Sequence, residues 1–172
     1  IGLYGRARSG KDTVGQYLTS HSYVRESFAD PLKKIVAEMF NVPVYFFQND
    51  SFKDIKMEFT LHGVQFSATP RELVIAYGTG FARALNPNFW PEHLFRSLED
   101  QERIVITDVR FPNEAELIKE KGGTLVHLQR PGFDNGIESS STEGLLDDYE
   151  GFDLTIRATT VEELLDKAGE LL

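Results

Sequence analysis

The chain has 172 residues, 41% of them hydrophobic and 12% aromatic, which is the composition of one folded, soluble domain with a sizeable core. Its formal charge of −9 excludes an overall basic field that would attract a nucleic-acid polymer, but leaves room for small phosphorylated ligands. With no cysteine, disulfides, zinc–thiolate sites and thiol catalysis are excluded, and His21, His62, His93 and His127 are scattered without metal-binding spacing.

The chain opens on the apolar run Ile1-Gly2-Leu3-Tyr4, a predicted strand, without a starting Met. A few residues are therefore expected to precede it. Gly5-Arg6-Ala7-Arg8-Ser9-Gly10-Lys11 follows, with the spacing G-x-x-x-x-G-K of a phosphate-binding loop. Glycines at both ends let the backbone curl so that N–H groups point inward at phosphate oxygens. Lys11 reaches the outer phosphates, and the positive end of the next helix faces the same anion. Gly5, Arg8, Ser9, Gly10, Lys11, Asp12 and Thr13 are the candidate ATP-binding residues. Asp12 stands where Ser or Thr ordinarily serves Mg²⁺, with Thr13 next to it; either offers hard oxygen. In the helix itself Val14, Tyr17 and Leu18 share one face.

Tyr23 to Phe28 reads as a second strand. Asp30-Pro31 then predicts a helix start, with Leu32, Ile35, Val36, Met39 and Phe40 as its buried stripe. Lys33 near that start opposes the helix dipole unless an anion lies close by. Residues 41–68 interleave phenylalanines with charged residues, and packing of an inserted subdomain is favoured there over base stacking. Thr69-Pro70-Arg71-Glu72 is a capping box, and its helix is interrupted by Gly78-Thr79-Gly80. Trp90, flanked by prolines, reads as core more readily than as a ligand platform.

Ile104-Val105-Ile106-Thr107-Asp108 is a buried parallel strand ending in a carboxylate, at the sheet edge where open α/β folds bind ligands. Asp108 is either a helix cap or a holder of Mg²⁺, and Arg110 and Glu114 fall near the same edge. The helix after it stops at Gly122-Gly123, and Leu125-Val126-His127-Leu128 is the fourth strand, ending at Arg130-Pro131-Gly132. Residues 133–151 form a long polar stretch with the character of a lid. Asp153 to Ile156 is the fifth strand, and Thr160-Val161-Glu162-Glu163 caps a last helix burying Leu164, Leu165, Ala168 and Leu171. No run reaches the roughly 18 apolar residues of a membrane span, and no signal peptide is visible, so a cytoplasmic protein (host cytoplasm if phage-encoded) is expected.

Strands alternating with helices, a phosphate loop after the first and an aspartate ending the third predict an α/β P-loop kinase fold. By analogy with that class, its five-stranded parallel sheet has the order 2-3-1-4-5 with helices on both faces. The expected organisation is one kinase domain over 1–172, with a substrate-binding insertion over about 41–100 and the lid over about 133–151. Specific landmarks then narrow the resemblance: Gly10-Lys11-Asp12-Thr13, Asp30-Pro31-Leu32-Lys33, Arg71 ahead of Gly78-Thr79, Trp90, Asp108-x-Arg110-x-x-x-Glu114 and Arg130-Pro131-Gly132. Over nearly its full length the chain resembles the phage-type deoxynucleoside monophosphate kinases. The resemblance implies phosphoryl transfer from ATP, with Mg²⁺, to a deoxynucleoside monophosphate.

Carried over position by position, Lys33, Arg71 and Arg110 hold the monophosphate's phosphate, Gly78 and Thr79 line the pocket, and Trp90 contacts the nucleoside. Asp108 and Glu114 complete the site. Lys11, Arg110 and Asp108 are the catalytic candidates, and Asp12, Thr13 and Asp108 the metal candidates. No adenine contacts carry over at Arg157-Ala158-Thr159. The alternatives are another kinase with the Gly-Lys-Asp loop, acting on dephospho-coenzyme A or phosphomevalonate, or a nucleotide-sensing module without catalysis. Oligomeric state is open, a homodimer included.

Overall fold

A computed structural model describes residues 1–49, 51–98, 101–132 and 144–172. The chain divides into two compact units, residues 1–27 with 98–172, and residues 28–97. Most of the stretch read as a lid lies outside the described residues; its end, Gly144 to Asp148, is a turn that buries Leu146.

In the first unit β1 (Gly2–Tyr4) leads through the glycine-bounded loop into α1 (Lys11–Ser20) and β2 (Val24–Glu26). The second unit follows, built on α2 (Ala29–Met39), α3 (Tyr45–Gln48), β3 (Met57–Leu61), β4 (Val64–Ala68) and α4 (Pro70–Ile75). It ends with a π-helical segment Ala76–Ala82, α5 (Arg83–Leu85) and α6 (Phe89–Arg96). The first unit resumes with β5 (Ile104–Ile106), α7 (Pro112–Glu120), β6 (Leu125–Gln129), β7 (Leu154–Arg157), α8 (Val161–Ala168) and a closing 3₁₀ turn.

The first unit's sheet runs β2-β5-β1-β6-β7, every pair parallel. Numbered within the sheet alone, that order is 2-3-1-4-5, as expected for a P-loop kinase. Its centre is apolar because a parallel strand is covered on both faces. Neighbouring residues of β1 face opposite ways. Gly2 lies against Ile118 of α7. Leu3 is buried with Val14 and Leu18 of α1, Leu164 and Ala168 of α8, and Val126 and Leu128 of β6. Helices therefore cover both faces. Asp153 ties the far end together, accepting from Lys119 (2.5 Å) and from the backbone N–H of Leu125 (2.8 Å).

The second unit has its own core of Leu32, Val36, Phe40, Phe47, Phe59, Leu73, Ala82 and Trp90. Phe40 meets Phe59, Phe66 and Tyr77 edge-on at ring separations of 5.4–5.9 Å. The hairpin β3–β4 was not foreseen in the sequence. It turns on His62 and Gly63, both with positive φ (49° and 81°), which is the backbone of a two-residue turn of the primed type.

Two sequence expectations for α2 are corrected. The helix starts at Ala29, ahead of the start predicted at Asp30-Pro31, and Asp30 sits inside the first turn bonded to Lys33 at 3.2 Å. Its buried residues are Leu32, Val36, Ala37 and Phe40, whereas Ile35 and Met39 are exposed. The aromatic core draws in Phe40 and its neighbours one and two turns back, rotating the face away from 35 and 39. The glycines read as interrupting the next helix instead widen it into the π-helical segment. A Cβ on Gly78 would stand 2.4 Å from Leu32 Cδ2, so a side chain there requires Leu32 to shift. Among the described residues no helix is long and apolar enough to cross a membrane.

Candidate active site

The phosphate loop leaves β1 at Gly5 and enters α1 at Lys11. A Cβ on Gly5 would lie 2.5 Å from the Leu128 carbonyl oxygen, so only glycine fits there. Gly10 has φ of 100° and a Cβ would meet Leu164 Cδ2 at 2.4 Å. Arg8 takes the left-handed conformation, φ 63°, unusual for a residue with a side chain. These contacts and torsions hold the loop as a tight curl whose last residues are the opening turn of α1, where backbone N–H groups have no partner inside the helix. Ser9 is buried and its Oγ has no hydrogen-bond partner among the described residues. A buried hydroxyl without a partner, beside the opening N–H groups of a helix and closely packed glycines, suits an anion. Lys11 Nζ donates to the carbonyl oxygens of Gly5 and Arg6, which places the ammonium over the loop's first half.

A cleft of about 290 Å³ lies along the loop. Arg8 to Thr13 form one wall, and Arg130, Ala158, Thr160, Val161 and Leu164 form the other. A far smaller cavity, about 10 Å³, is lined by Tyr4, Gly5, Arg6, Lys11, Val109, Arg110 and Gly144. Arg110 and Lys11 thus line one cavity.

At the end of β5, Asp108 accepts a hydrogen bond from Ser27 Oγ at 2.7 Å. The backbone N–H groups ahead of α7 go to Glu114, whose Oε2 accepts from Arg110 (2.7 Å) and Phe111 (3.0 Å). Glu114 is buried, and its carboxylate caps the start of α7. Asp12 pairs with Arg25 of β2, and the same guanidinium reaches Thr107 Oγ1 at 3.4 Å. Among the described residues no three His, Asp or Glu side chains gather as a self-sufficient metal site. The oxygens of Asp12, Thr13 and Asp108 suit Mg²⁺, which takes one or two carboxylates and completes its shell with phosphate and water.

In the second unit Arg71 is held by Asp54, Nε donating to Oδ1 at 2.5 Å and a terminal nitrogen to Oδ2 at 3.2 Å. That bond holds the Asp54 carboxyl below its usual range. Lys33 pairs with Asp30. Lys33, which the sequence placed badly at a helix start unless an anion lay close by, thus has a carboxylate of its own, as Arg71 does in the first turn of α4. Trp90 is buried and its Nε1 donates to the Gly78 carbonyl at 3.2 Å, and Gly78 in turn abuts Leu32. Thr79 is exposed beside them.

Sequence reasoning missed Arg6, Arg25, Ser27, Thr107 and Asp147. Arg6 pairs with Asp147, 141 positions away, and Tyr4 donates to the same carboxylate at 2.5 Å. Burial would raise the Asp147 carboxyl, but the bonds from Arg6 and Tyr4 outweigh it and hold it below the usual range. Burial and the bond to Asp147 push the Tyr4 hydroxyl well above its ordinary value. No local spacing announces such pairings.

No protein-family model matches the chain. A deoxynucleotide monophosphate kinase of Acanthamoeba polyphaga mimivirus is 32% identical over 179 aligned positions, spanning 95% of this chain and 90% of that protein. The chain belongs to the deoxynucleotide monophosphate kinase family. A deoxynucleoside-5′-monophosphate kinase of Escherichia phage T5 is 26% identical over 178 positions, covering 70% of this chain and 71% of that protein. As a member of this kinase family the chain is an enzyme of nucleotide metabolism.

Proposed function

We propose that the enzyme transfers the γ-phosphoryl group of ATP to a deoxynucleoside 5′-monophosphate, giving ADP and the deoxynucleoside diphosphate. The observation that carries this reading is the loop Gly5–Lys11, with two glycines that admit no Cβ and the orphaned Ser9 hydroxyl, in a chain of this family. The adenine and ribose of the donor have a place in the 290 Å³ cleft, against Ala158, Val161 and Leu164 with the Arg130 guanidinium beside them.

An oxygen of the acceptor phosphate, ionised near neutral pH, attacks the γ-phosphorus; the new P–O bond forms as the bond to the β–γ bridging oxygen breaks and ADP departs. No strong base is needed, so the protein contributes position and charge. Lys11 and the loop N–H groups grip the donor's outer phosphates, and Arg110 in the neighbouring cavity meets the charge spreading over the transferred group. Lys33 and Arg71 serve the acceptor's phosphate, each from a carboxylate that keeps it oriented beforehand. Asp12, Thr13 and Asp108 would hold Mg²⁺, which supplies further neutralisation of phosphate charge when bound.

The test is an ATP-coupled assay over all deoxy- and ribonucleoside monophosphates, with dephospho-coenzyme A and phosphomevalonate in the same panel. Turnover of one or more deoxynucleoside monophosphates is expected. Turnover confined to the other acceptors would assign a different kinase, and ATP binding without any turnover would assign a sensor.

A further inference from the structure

We propose that Asp147 is a positioning residue for the donor nucleotide, acting through Arg6 of the phosphate loop; the proposal rests on the phosphate-loop reading above. Three observations converge on it. Asp147 binds two consecutive parts of the chain that lead into the loop: Oδ1 accepts from the Tyr4 hydroxyl at 2.5 Å and Oδ2 from Arg6 Nε at 3.1 Å. The carboxylate is anchored on a rigid base. Its neighbour Leu146 is fully buried, and Tyr4, itself buried, is packed against the rings of His127 (5.1 Å) and Phe152 (5.5 Å). Finally, Lys11 Nζ rests on the carbonyl oxygens of Gly5 and Arg6, and Arg6, Lys11 and Arg110 line one small cavity.

Three cations around one cavity repel each other and favour splaying of the loop. A carboxylate fixed behind Arg6 offsets that repulsion and sets where the Arg6 backbone, and with it the lysine, stands. Stability alone is a poor reason for this arrangement. The Arg6–Asp147 pair is partly exposed (47% and 30% of the side chains), and such pairs contribute little. Its placement on the loop that receives the donor makes affinity for the donor the quantity that should respond.

The experiment is calorimetric titration of the full chain with Mg–ATP in the absence of acceptor, alongside steady-state kinetics, for wild type, D147N, R6A and the double variant. D147N is expected to weaken ATP binding about tenfold, of the order of one lost charge-assisted contact, and to move the acceptor KM less than about twofold. R6A should weaken ATP similarly, and the double variant should be no weaker than R6A, because Asp147 acts through Arg6. Unchanged ATP affinity in D147N, or additive losses in the double variant, overturns the proposal while leaving the kinase reading intact. If D147N does not fold, Y4F decides the matter: weakening of ATP by about two- to fivefold supports it, and wild-type affinity overturns it. Wild type that fails to bind ATP would overturn the phosphate-loop reading and this proposal together.

Discussion

The Lys11 ammonium donates to the loop's own Gly5 and Arg6 carbonyl oxygens and stands outside the apolar core, so replacing it by Met should remove charge from the phosphate site and leave that core intact. Turnover is expected to fall by at least about 10²-fold, with far-UV circular dichroism and melting temperature close to wild type. Undiminished turnover would remove the phosphate-loop reading. Asp108 and Glu114, whose parts the sequence could not separate, are told apart by substitution. Because Glu114 takes the N–H groups ahead of α7, Asp108→Asn should cost little stability yet lower turnover. Glu114→Ala leaves those two N–H groups without their acceptor in a buried place and should destabilise by about 1–3 kcal/mol, read by urea denaturation. The reverse pattern would make Glu114 the chemical group and Asp108 the structural one. For Arg71→Ala the acceptor KM should rise about tenfold or more with ATP affinity unchanged. The exposed Asp54 partner makes the accompanying stability change small.

At the scale of elements, the parallel sheet was legible because each strand is a short apolar run bounded by turn residues. The run 104–106 and the residues 125–128 read directly as buried strands, and their order followed from the fold class. The hairpin β3–β4 was not legible. Its outward residues are charged or polar, its turn is His62-Gly63 and not the commoner Asn-Gly or Asp-Gly, and its apolar residues Phe59 and Phe66 point to a local aromatic core. Phe59 is buried at the centre of that core, so Phe59→Ala should cost about 3–5 kcal/mol of stability. The site divides in the same way. The loop announces itself by spacing, and Gly10→Ala should disrupt it, because the positive φ and the 2.4 Å approach of Leu164 leave no conformation free of strain. The carboxylates that hold Arg6 and Arg71 lie far away in sequence, as Asp147 does from Arg6, or inside the least readable stretch, as Asp54 does for Arg71. Pairing at that range is fixed by the fold and leaves no periodicity to read.

Across the whole molecule, the formal charge of −9 leaves many carboxylates and few cations, and several of those cations are engaged in ion pairs. Asp54, Asp147 and Asp153 all lie below the ordinary carboxylate value, and Glu163 falls to about 2 through its bonds with Lys167 and the Thr159 N–H. A carboxyl with a depressed value in the folded state favours folding once the pH is above its unfolded value. That contribution is lost as the pH falls through the folded value. Stability should therefore be level in this respect from neutral pH down to about 4.5, near the unfolded value, and decline from there toward pH 2. Asp153 gives the cleanest test, since hydrogen bonds from Lys119 and the Leu125 N–H lower its carboxyl and neither partner belongs to the active-site residues. Asp153→Asn keeps an oxygen for the Leu125 N–H but loses the charge facing Lys119. At pH 7 it should be less stable than wild type by about 1 kcal/mol, because the pair is partly exposed. As the pH falls and the wild-type carboxyl takes up its proton, the two denaturation curves should converge. Melting temperatures of both proteins measured from pH 7 to pH 2 decide it: a gap that persists unchanged at low pH would mean that the cost of Asp153→Asn lies in packing and not in charge.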